Sequence, residues 1–174
     1  FAEGERNADG LVTIGGANVH GSLQDIAVYG EGEARMLYTD DEDLNSNAGE
    51  VFAYAIGNLA KPWDTAPTAS WGNCDGKMAN ANQRIASDRR GGVWASQYRW
   101  HESEANPQLM HVNAQGVWDF TTGDMSVVVG GNPVGSLGVN VTGTILAVGG
   151  HDNGLQMNVA SVTFGEDGVP ALTK

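Results

Sequence analysis

The chain has 174 residues, enough for one sizeable domain and few for two of ordinary size, and its 25 glycines against five prolines go with no stretch of helical periodicity. Apolar residues make up 41% and charged residues 17%, a balance that excludes disorder even at a formal net charge of −12. The same acidity repels phosphate backbones, Arg89-Arg90 is the only basic pair, and no apolar run approaches the roughly 20 residues that cross a bilayer, so neither nucleic acid nor a membrane span is expected.

The chain begins at Phe1 rather than Met, which points to processing or cleavage of an exported protein. Residues 11–14, Leu-Val-Thr-Ile before Gly15-Gly16, read as a strand that either belongs to a preceding unit or closes a ring, which sets 1–16 apart from the rest of the chain. His20-Gly21-Ser22 suits a loop between strands.

From there one order of events recurs, and such repeats are read before any motif. Strand-length apolar runs at 24–28, 34–38 and 51–56 are separated by the turn 30–33 and a polar loop from Asp40. The order returns at 83–87, 92–98 and 108–112, and again at 137–141, 144–148 and 156–162. Ile26, Ile85 and Val139 are then equivalent positions. After each third strand a short turn (57–58, 113–116, 165–168) leads to a fourth, more variable run. Those runs are expected around Trp63, at 117–120 and at 169–172, and Pro170 in the last suits an edge strand.

A four-stranded antiparallel unit of 50–60 residues with small side chains in its inner strands describes a β-propeller blade. The predicted fold is all-β: three four-stranded antiparallel blades of a β-propeller, half or part of a ring, at about 17–70, 76–125 and 132–174. A β-sandwich is the alternative, because it also strings short strands between frequent turns. Rings have four to eight blades, so three leave open propeller edges, and a second copy or another chain is the expected partner covering them.

The candidate sites lie in the loops. Asp41, Asp43, Asn45 and Asn47 alternate in an acidic segment that reads first as a solvated loop, with a spacing that also suits a hard cation such as calcium; an EF-hand is excluded by Ser46 at its glycine position. Trp63, Trp71, Trp94, Trp100 and Trp118 crowd the middle of the chain. Trp94 is expected in the core and Trp100 in a loop, where with Arg99 and His101 it would contact a ligand by stacking, for instance on a sugar ring. His151 and Asp152 belong to a third loop on the same face. His111, inside a strand, is expected to be a hydrogen-bonded structural histidine, and Cys74 a small buried hydrophobe. Hydrolase elbows, phosphate loops and zinc spacings are absent, so no catalytic residue is assigned.

The segment Gly91-Gly92-Val93-Trp94 through Arg99, followed by Leu109-Met110-His111-Val112-Asn113-Ala114-Gln115-Gly116, resembles blades of secreted propeller-like proteins of gut Bacteroidetes and their relatives, with Asn113 where an Asp is usual. The resemblance implies a secreted or cell-surface location and a recognition or scaffold role, and brings no catalytic residues. The expected function is a non-enzymatic extracellular recognition or assembly module that presents blade-top loops to a carbohydrate or protein ligand. The alternatives are a carbohydrate-active propeller enzyme, a hydrolase or lyase, and a purely structural part of a larger surface assembly.

Overall fold

The computed structural model describes residues 22–43, 48–57, 68–72, 84–96, 109–122, 134–150 and 157–173. These form twelve strands in three four-stranded antiparallel sheets, each a meander in which chain neighbours pair. The first sheet contains β1 (Ser22–Tyr29), β2 (Met36–Asp43), β3 (Ala48–Ala55) and β4 (Ala69–Gly72). The second contains β5 (Arg84–Ser87), β6 (Val93–Ser96), β7 (Leu109–Val112) and β8 (Trp118–Thr122). The third contains β9 (Val134–Val139), β10 (Ile145–Gly150), β11 (Met157–Phe164) and β12 (Pro170–Thr173). The helical content among the described residues is one 3-10 turn, Gly32–Ala34, and no helix is long and apolar enough to cross a membrane.

The turns have a shared chemistry that the sequence carries locally. An Asx side chain at the turn accepts backbone amides from the residues that close it: Asp88 Oδ1 from Arg90 and Gly92, Asn113 Oδ1 from Gln115 and Val117, Asn140 Oδ1 from Thr144 and Ile145, and Asp167 Oδ1 from Val169. Asn113 therefore does through its amide oxygen what an Asp would do there, because only an acceptor is needed.

Two predicted positions move. The fourth strand of the first sheet is β4 around Trp71, paired Phe52 to Ser70 and Ala53 to Ala69, rather than a run around Trp63, which lies outside the described residues. The connection from β3 is accordingly longer than the two-residue turn expected at Gly57-Asn58, and the first unit extends to Gly72 rather than 70. The acidic segment from Asp40 to Asp43, expected to be loop, continues β2 and pairs with both neighbours. Four consecutive acidic residues carry no period-2 signal, so the strand here is set by pairing with β1 and β3 rather than by local pattern.

The sheets stack face to face. Tyr38, Val51 and Ala53 of the first sheet pack on Ile85, Val93 and Met110 of the second. From the opposite face of the second sheet, Trp94 and Leu109 pack on Leu146, Val148 and Val162 of the third. The middle sheet is thus covered on both sides, and β6 and β7 are buried along their whole length. The closest approaches between sheets involve their first strands, β1 with β5 and β5 with β9.

Candidate functional site

The polar constellation among the described residues is built on the hairpin between β5 and β6. Asp88 follows β5; its amide donates to the Gly92 carbonyl at 3.0 Å, while Oδ1 accepts from Arg90 at 2.6 Å and Gly92 at 2.9 Å. These bonds hold a tight turn in which Arg89 has φ 66° and Gly91 φ 101°. They also aim the second carboxylate oxygen inward: Oδ2 lies 3.1 Å from His111 Nε2.

His111 stands in the middle of a cross-strand row, Trp94 on β6, His111 on β7 and Phe120 on β8, which faces the third sheet. The pairing of β7 with β8 shifts by one residue between His111 and Val112. His111 pairs with Phe120 and Val112 with Trp118, which leaves Asp119 as the extra residue of a bulge and lets its carboxylate turn to the histidine's side. Asp119 Oδ1 is 2.6 Å from His111 Nδ1. The side chains of His111, Asp88 and Asp119 are 1%, 3% and 8% exposed.

Both ring nitrogens therefore face carboxylates. Each ring nitrogen has a carboxyl oxygen within hydrogen-bond distance, so both are engaged at once. The ring is also walled in by Trp94 at 4.8 Å and Phe164 at 5.9 Å between centroids. The arrangement is suited to fixing a turn inside a dry core. Removal of one partner from such a buried ionic set costs about 3–5 kcal/mol, because the others are left uncompensated.

The same hairpin is where the three sheets meet. Tyr38 on β2 donates its hydroxyl to the Gly91 carbonyl at 2.8 Å. Arg90 lies over the Phe164 ring of β11 at 4.2 Å, and Gly143 in the β9–β10 turn sits against the Asp88 carbonyl. Burial, reinforced by the charge of Asp88 and by Tyr29, pushes the Tyr38 hydroxyl up to about 12. Further side-chain bonds join the first two sheets: Asp25 Oδ2 accepts the Ile85 amide at 3.0 Å, and Trp118 Nε1 donates to the Trp71 carbonyl at 2.7 Å.

Of the residues singled out from sequence, His111 is hydrogen-bonded and Trp94 buried, as expected. Asp41 and Asp43 lie at the end of β2, opposite Glu50 and Ala48 of β3, with Asn45 and Asn47 outside the described residues. Arg99, Trp100, His101, His151, Asp152, His20 and Cys74 also lie outside them. Among the described residues no group of three or more His, Cys, Asp or Glu side chains is placed to hold a metal ion. Sequence reading missed Asp88 and Asp119 as partners of His111. The available signal was an Asp at the head of a Gly-closed turn and another eight residues after the histidine, across one hairpin. No protein-family model matches the chain, and no curated protein matches it.

Proposed function

We propose that the chain is a non-enzymatic recognition or assembly module of extracellular type, made of three consecutive propeller blades. The blade reading is supported by three successive four-stranded meanders whose first strands lie nearest one another, the arrangement in which inner strands converge on an axis. The observation that carries the functional reading is the use of the buried ionisable groups. Asp88, His111 and Asp119 saturate one another and brace a hairpin that all three sheets touch, which is scaffold chemistry. Recognition then falls to the loops, with Trp100 and its neighbours Arg99 and His101, and the loop of His151 and Asp152, as the contact face for a carbohydrate or protein ligand.

The test is affinity electrophoresis of the chain in gels containing soluble polysaccharides, run with calcium and with a chelator, beside chromatography of the same polysaccharides after prolonged incubation. Retardation without shortened products is expected, and Trp100→Ala should weaken it several-fold. Release of oligosaccharides would overturn the non-enzymatic reading, and mobility unaltered by every polysaccharide would remove the carbohydrate ligand.

A further inference from the structure

The second sheet has one face toward the first and one toward the third, and the repeat lets the outward faces of the first and third sheets be compared with these. Ile85 on β5 faces the first sheet and is 4% exposed; Val139 on β9 packs in the core between the second and third sheets. Ile26 is the equivalent residue of the first sheet, points away from the second sheet to the side where no sheet stands among the described residues, and is 54% exposed, with Val28 beside it at 44%. Further out on that face Thr39 and Tyr54 are buried, so the open part is β1, the strand type that makes the contacts between sheets elsewhere. The converse holds at the other end of the stack. The third sheet's following face presents Ile145 at 43%, Val159 at 49% and Met157 at 70% exposure.

Among the described residues each end of the stack thus presents exposed apolar side chains on its outward face, and the two faces are of complementary type. A following face receives a preceding face at both interfaces inside the chain. The following face of the third sheet is also low along its inner strands. Gly138 pairs with Ala147, and a side chain at Gly138 would meet nothing, so another strand has room to approach. Apolar side chains at this exposure forgo on the order of 1 kcal/mol each that burial would return.

We propose that a second copy of this chain covers these faces: β1 of each copy, through Ile26 and Val28, packs on the Ile145, Met157 and Val159 face of the other. The two contacts are related by a twofold axis and join six sheets into a ring, within the four-to-eight range of closed propellers. This rests on the reading of the three sheets as propeller blades. It continues in trans the face-to-face packing that the chain already uses twice within itself.

The test is solution mass by light scattering for the unaltered chain, Ile26→Lys, Val159→Glu and the double variant. The substituted positions are about half exposed, so each variant is expected to keep its far-UV circular dichroism and a cooperative thermal transition, lowered only by the stability that assembly contributed. The chain should have twice its monomer mass, each single variant should be monomeric, and the double variant should regain the dimer because lysine on one copy then meets glutamate on the other. A monomeric unaltered chain would overturn the proposal, as would a dimer indifferent to both single substitutions. A double variant that stays monomeric would also overturn the specified pairing. These outcomes are separable from the functional reading: polysaccharide cleavage would sink the latter without altering the mass, and a monomer that binds without cleavage would sink only the ring.

Discussion

Tyr38 is 1% exposed, and its single hydroxyl ties the first sheet to the central hairpin through Gly91. Its ionisation is raised from 10.0 to about 12 by burial first, then by Asp88 and Tyr29. A raised value means that the folded state holds the proton more tightly than the unfolded state. The stability this represents is complete below pH 10, falls as the unfolded chain ionises, and is exhausted as pH passes about 12. The full span amounts to roughly 3 kcal/mol at about 1.4 kcal/mol per unit. Urea unfolding between pH 8 and 12 should therefore show Tyr38→Phe less stable at pH 8 by about 1 kcal/mol, for the lost hydrogen bond, with a shallower alkaline decline. Parallel pH profiles for the two proteins would show that the hydroxyl is not held as described. His111 makes the complementary point about legibility: its strand position and its need for partners follow from neighbouring residues, whereas the identity of those partners does not. Asp88 lies two strands back in the chain, and Asp119 reaches the ring only because a bulge turns it.

At the level of the hairpin, local sequence and long-range packing act on the same residues. Gly143 has φ 72° and Gly168 φ 81°, so both occupy the left-handed region that costs a residue with a Cβ about 1–2 kcal/mol. They differ in what surrounds them. A Cβ at Gly168 meets nothing, whereas one at Gly143 collides with the Asp88 carbonyl of the neighbouring sheet. Gly168→Ala is expected to destabilise by about 1 kcal/mol and Gly143→Ala by at least about 2 kcal/mol more, measured by urea unfolding. Equal losses would mean that the contact between the two turns does not constrain the third sheet. The strands themselves were legible because period-2 alternation bounded by Asx and Gly turns is written in adjacent residues. The exception, β4 displaced from Trp63 to Trp71, arises where the connection is long. There the strand's place goes with what Trp71 packs against, Tyr38 at 5.2 Å and the second sheet.

Across the whole molecule, the second sheet is the one that cannot be removed. Its two faces contribute to both core clusters, five of eight buried residues in one and two of five in the other, and its first hairpin is bonded or packed to both neighbours. The sheets should therefore unfold together. Tryptophan fluorescence and far-UV circular dichroism are expected to give coincident urea transitions, whereas separated transitions would show that one outer sheet melts independently. The two ends of the stack contribute least to this coupling, since apolar side chains on their outward faces are exposed, and assembly would add stability there that grows with the logarithm of protein concentration.

The sequence by itself determined the all-β class, the threefold recurrence, nearly all the strands and the turns between them, because each depends on residues within a few positions of one another. It also placed Trp94 in the core and His111 in a hydrogen-bonded strand. Only the tertiary structure decided which face of each sheet is covered, where β4 lies, and that Asp88 and Asp119 converge on His111. Those features depend on pairings across 8, 23 and more residues and on one-residue bulges. A bulge reverses the side to which a side chain points, and no local pattern records it.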